Sequence, residues 1–158
     1  MLNAKRTSSF GHEYAFTRDG RELGTFSLRS GSKTEFSSGG ADYRVRSHRF
    51  SGVYELLAAD GTVLASTDRI GRQWTLHAEG RDHEFRRTDL AGQDYTMLGR
   101  GTATAGTIGR IGPRAASGGV DLPELKPETE IFVLVAVLLR RRRKRTAAAV
   151  RATTVSGG

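Results

Sequence analysis

The residues best suited to chemistry in this chain are cations. Arg140, Arg141, Arg142, Arg143, Lys144 and Arg145 form an unbroken run of six positive charges. A cluster of that size beside a membrane gains about 1 kcal/mol per residue from anionic lipid. These six are therefore the candidate lipid- or anion-binding residues. The competing reading is that the run caps a helix, keeps one end of the fold soluble and binds nothing specific. Basic patches also hold nucleic-acid phosphates without reading sequence. Nucleic acid is disfavoured, because RNA readers add exposed aromatics for base stacking and none flanks this run.

Other reactive types are present but not arranged for catalysis. His12, His48, His77 and His83 show neither HExxH nor i,i+4 spacing, so no metal site is expected. His77 falls opposite Asp82 in a predicted hairpin, which reads as a surface pair rather than a catalytic dyad. The carboxylates scatter through turns, and no GxSxG elbow presents a serine. The absence of cysteine excludes thiolate catalysis, iron–sulfur clusters, cysteine-ligated zinc and disulfides. Gly99–Gly112 is glycine-rich but lacks the Walker A lysine and does not fit GxGxxG. Its glycines read instead as places where another backbone comes close. The expectation is a binding module with no catalytic residue, cofactor or metal.

The elements that must position the basic run are mostly strands. At 158 residues the chain is one domain, large enough to bury a core without staples. Its formal charge is +8, and the run supplies six of those charges, leaving a nearly balanced body. A DNA-binding domain usually spreads its basic residues over a face; this chain does not. Arginine outnumbers lysine 21 to 4, and with the Ala/Gly bias this suggests a GC-rich bacterial source.

Asp19-Gly20, Asp60-Gly61 and Glu79-Gly80 each separate short alternating runs, the signature of two-residue hairpin turns. On that register Phe16 faces Leu23, Leu57 faces Leu64, and Leu76 faces His83. Further strands are predicted at Lys33–Phe36, Asp42–His48, Gln73–His77, His83–Thr88, Tyr95–Leu98 and Thr102–Ile111. Trp74 is assigned to the core or wall. Roughly ten short antiparallel strands read as a sandwich or barrel. Residues 113–128 hold all three prolines and read as a linker.

The most apolar stretch, Ile131–Leu139, comes next. It is less than half of the ~20 residues a membrane span needs, and Glu124, Lys126, Glu128 and Glu130 block its extension. No transmembrane span is expected. A central β-strand is the rival reading, since Ile131, Val133, Val135 and Val137 are β-branched. The boundaries favour helix: Pro127 suits a first turn, Glu128 and Glu130 suit the positive pole, and the arginine run suits the negative pole. A helix apolar on every side must be buried. Nine residues span about 13 Å, close to the height of a barrel of short tilted strands.

This order of elements resembles a known family. Acidic-Gly hairpins, then Gly106–Gly112 (GTIGRIG), then Asp121-Leu122-Pro123, then Phe132–Arg145 (FVLVAVLLRRRRKR), are similar to bacterial tubby C-terminal-like proteins. These are grouped with LURP-one-related proteins and phospholipid scramblases. The resemblance spans roughly residues 10–145 and implies a closed antiparallel barrel of about twelve strands around a central hydrophobic helix. It also implies contact with lipid, although no family binding residue carries over to a named position here. The expected layout is a single domain over 1–145, its helix at about 128–143, and a disordered tail over 146–158. The N-terminal segment lacks an apolar signal core, so a cytoplasmic protein peripheral to the inner membrane face is expected. The expected partner is an anionic membrane surface; the alternative is a protein-interaction scaffold whose partner is not identified.

Overall fold

The computed structural model describes residues 1–7, 13–27, 34–48, 50–88, 94–99, 104–109 and 118–156, with side chains except at 104, 105, 144–146 and 148–156. Twelve strands precede one helix. They are β1 (Leu2–Arg6), β2 (Glu13–Arg18), β3 (Arg21–Ser27), β4 (Thr34–Ser38), β5 (Ala41–Ser47) and β6 (Tyr54–Ala58), followed by β7 (Val63–Thr67), β8 (Gln73–Ala78), β9 (Arg81–Arg87), β10 (Tyr95–Leu98), β11 (Thr104–Gly109) and β12 (Gly118–Asp121). The helix, α1, runs Pro127–Ser156.

The strands form one antiparallel sheet in which chain neighbours pair, except at one seam. β1 pairs with β12, joining the two ends of the meander. The seam lies between β3 and β4, which approach closely without a ladder; a Cβ on Gly24 would sit 3.5 Å from the Ser37 carbonyl oxygen. The result is a nearly closed barrel. Alternation explains which face is inside: Tyr14 and Phe16, Trp74 and Leu76, and Tyr95 and Met97 are all buried at two-residue spacing. Trp74 stacks on Phe85 with centroids 4.1 Å apart, so it belongs to the core.

The apolar segment is helical and central. Residues Ile131–Leu138 are at most 3% exposed, which an all-round apolar helix requires. The β-branched valines tolerate the helix because burial outweighs their modest propensity penalty, a few tenths of a kcal/mol each. Wall and helix come together at Gly118, where a Cβ would lie 3.1 Å from Leu134 Cδ1 and 3.4 Å from Leu138 Cδ2. At Gly106 the predicted backbone approach is present: a Cβ there would lie 2.5 Å from the Asp121 carbonyl oxygen.

Several expectations are corrected. Leu76 does face His83, because the Glu79-Gly80 turn (φ 56° and 72°) leads into a ladder that runs without a bulge. Phe16, however, faces Gly24, and Leu57 faces Val63. In each hairpin a bulge adds a residue, Leu23 or Leu64, which turns to the exposed side (47% and 41%) while Phe16 and Leu56 stay inside. The segment read as a linker contains β12. The helical backbone also runs on to Ser156, past the expected 128–143 range. Ala147, Ala148 and Ala149 are the best helix formers, and extending a formed helix costs far less than starting one. Lys33, Thr102, Ile111 and His12 lie outside the described residues.

Candidate anion-binding mouth of the barrel

An up-and-down meander puts alternate connections at opposite ends. The tight turns β2–β3, β4–β5, β6–β7 and β8–β9 gather at one end, and the strand ends Arg6, Ser27, Ser47, Thr67 and Arg87 gather at the other. The helix starts at the hairpin end. There the Glu79 carboxylate accepts from the Lys126 backbone N–H (2.9 Å) and from Thr129 Oγ1 (3.2 Å). Glu130, buried in the same end, pairs with Arg18 and accepts from the Leu122 N–H at 3.4 Å. These carboxylates sit where the helix dipole favours negative charge. With both its start and its apolar body held, the helix must leave through the other mouth.

The basic run emerges there, but not as an even collar. Successive helical residues turn about 100°, so four arginines cannot share one face. Arg141 turns inward, only 7% exposed, with Nη1 beside Gly118 and Nη2 4.0 Å from Asp94. Arg142 is half-buried. Arg140 and Arg143, one turn apart, meet Tyr54 and Arg69 in a cleft of about 160 Å³. Arg143 donates to Ser47 Oγ at 3.1 Å and lies over the Tyr54 ring, 5.8 Å from its centroid. Burial raises the Tyr54 hydroxyl pKa, and the nearby guanidiniums of Arg143 and Arg140 oppose the rise. The side chains of Lys144 and Arg145 lie outside the described residues.

Sequence reasoning missed the rest of the cationic end. Arg69 and Arg72 stand in the β7–β8 connection, and Arg86 and Arg87 end β9, beside the same mouth. Phe50, in the β5–β6 connection, is fully exposed (104%) next to Arg140 and Arg143. Strand direction alternates along a meander, so the connection numbering alone would have placed 50, 69 and 72 with the helix exit. The opposite end exposes Asp19, Asp42, Asp60, Glu79 and Asp121 against Arg21, Arg81 and Lys126, an acidic balance. The barrel is thus polarised along its axis.

Asp94 at the basic mouth lies beside Arg141, and two further carboxylates there, Glu55 and Asp68, are engaged by other partners. Glu55 is held below the ordinary carboxylate range, first by its hydrogen bond to His48 and then by Arg46 at 3.0 Å. Asp68 is bonded to His77 Nε2 at 2.9 Å. Among the described residues, no carboxylate lies within ion-pair distance of Arg69, Arg140 or Arg143.

The described histidines are dispersed. His77 does meet Asp82, at 2.7 Å, and Asp68 clasps its other nitrogen, so the imidazole is bracketed on the outer wall. His83 faces the core. The described residues contain no group of three or more His, Cys, Asp or Glu placed to hold a metal ion. Nor is any described helix long and apolar enough to cross a membrane. The chain matches no protein-family model, no curated protein and no solved structure.

Proposed function

We propose that this protein is a non-enzymatic peripheral binding module that docks the helix-exit mouth of its barrel on anionic phospholipid. The observation that supports this reading is a fully exposed Phe50 set beside Arg69, Arg140 and Arg143, which have no ion-pair partner among the described carboxylates. Cations near an anionic surface gain about 1 kcal/mol each, falling off within a Debye length. An exposed Phe ring can anchor at the boundary of headgroups and acyl chains, as the apolar residues of interfacial segments do. The acidic hairpin end orients the molecule, since it would be repelled while the basic end is drawn in. Kinship with tubby C-terminal-like proteins, proposed from the order of elements, agrees with a lipid-facing role.

Co-sedimentation with vesicles tests this. The protein should pellet with mixed phosphatidylglycerol–phosphatidylcholine vesicles, not with phosphatidylcholine alone, and salt should release it. Replacing Arg140–Arg145 by glutamine should abolish binding. Equal binding to both vesicle types, or binding unchanged by the replacement, would leave the scaffold alternative standing and remove the lipid reading.

A further inference from the structure

One part of the mouth is shaped as well as charged. The cleft holding Arg69, Arg140 and Arg143 is built from three elements. Arg140 and Arg143 project from a helix locked by its buried body. Arg69 precedes Ile70, whose burial (2%) ties the β7–β8 connection to the core. The β5–β6 connection closes with the Gly52 N–H donating to the His48 carbonyl at 3.0 Å. Gly52 takes φ +71°, and a Cβ on it would lie 3.0 Å from Arg69 Cγ. Glycine is needed there twice, for the turn and to let the Arg69 stem lie against the loop. Tyr54 forms a buried floor beneath Arg143.

Cations that line one cleft with no described carboxylate in ion-pair reach repel one another unless an anion joins them. Guanidiniums offer planar forks of N–H donors that match the oxygens of phosphate and carboxylate. At about 160 Å³ the cleft is below the roughly 300 Å³ at which small-molecule pockets begin. It suits one compact charged group rather than a whole cofactor. A phosphomonoester carries about −1.5 to −2 charge and three terminal acceptor oxygens, more than the single charge and two terminal oxygens of a phosphodiester. We propose that Arg69, Arg140 and Arg143 form a phosphomonoester-recognition site. The group could belong to a lipid headgroup, which rests on the membrane reading above, or to a small phosphorylated molecule.

Two probes separate these sources. Vesicles of phosphatidylcholine with phosphatidic acid, a phosphomonoester lipid, are compared with phosphatidylglycerol vesicles matched in surface charge. Glycerol phosphate is titrated separately into the free protein while the Gly52 amide resonance is followed. The lipid form predicts about tenfold tighter binding to phosphatidic acid, the size of one charge-assisted hydrogen bond, with a saturable shift at Gly52. The paired substitutions Arg69→Gln and Arg143→Gln should erase both effects. Arg72→Gln with Arg86→Gln, outside the cleft, should weaken both vesicle types equally and leave their ratio intact. A saturable shift without binding to either vesicle would uphold the cleft and overturn the membrane reading. Equal vesicle binding with no shift would do the reverse. Loss of the preference through the Arg72 and Arg86 substitutions would also overturn the cleft, since general charge would then explain it.

Discussion

Gly118 on β12 is a close approach of wall to helix, and the packing of the core can be tested there. Gly118→Ala would place a methyl 3.1 Å from Leu134 Cδ1 and 3.4 Å from Leu138 Cδ2. Overpacking of this kind costs about 1–3 kcal/mol, offset by ~0.4–1 kcal/mol from reduced freedom of the unfolded chain. The φ of Gly118 is outside the left-handed region, so alanine adds no backbone strain. Leu134→Ala removes a side chain with no exposure and should cost about 2–5 kcal/mol. Combined, the two changes relieve each other: the clashing methyl is gone, and the new one fills part of the cavity. The double variant should therefore be more stable than the sum of the singles by about 1–2 kcal/mol. Urea unfolding of the four proteins measures this coupling, with far-ultraviolet dichroism checked against Trp74 fluorescence for a single transition. Additivity within about 0.5 kcal/mol would mean that helix and strand do not touch as described.

Further outcomes follow from the same contacts. Gly106→Ala should destabilise more than Gly109→Ala, because the first methyl would meet the Asp121 backbone oxygen at 2.5 Å and the second nothing within 4 Å; denaturant midpoints compare them. The hydrogen bonds to Asp68 and Asp82 raise the His77 pKa above its ordinary value. The stability gained is therefore complete below the unfolded pKa and lost as pH rises through the folded one. An NMR titration midpoint at or below the ordinary histidine value would contradict the bracketing, as would a His77→Gln variant whose stability deficit does not shrink as pH rises through that window.

Much of the fold was legible because local rules and tertiary packing agree. The Glu79-Gly80 turn leads into a ladder without a bulge, so Leu76–His83 and His77–Asp82 could be paired from sequence. The β2–β3 and β6–β7 hairpins resisted the same logic, since each carries a bulge inside its ladder, and Asp60, unlike Asp19 and Glu79, does not take the positive φ of the expected turn. β1 and β12 were missed for a different reason. Leu2 and Ala4 offer little alternation, and Gly118-Gly119 offers none, so their strand character comes from pairing with each other and from the helix they cover. The boundaries of Ile131–Leu139 decided helix over strand correctly because Pro127, Glu128 and Glu130 all favour a helical start.

The candidate site was half legible. The charge of Arg140–Arg145 is plain in the sequence, but the inward turn of Arg141 depends on the helix axis relative to the wall. Arg69, Arg72 and Phe50 are each unremarkable in their own stretches. Only the connection order of the barrel brings them to the helix exit, where their shared surroundings give them meaning.

The orientation on the membrane is the most direct test of the whole reading, and the cysteine-free chain allows single-site labelling. An environment-sensitive fluorophore is placed at Ser51→Cys, beside Phe50 at the basic mouth, and in a separate protein at Ala59→Cys, at the hairpin end. On phosphatidylglycerol-containing vesicles the label at 51 should shift to the blue and become shielded from an aqueous quencher, while the label at 59 stays as in buffer. Shielding at 59, or identical behaviour at both positions, would contradict a basic mouth that faces the lipid.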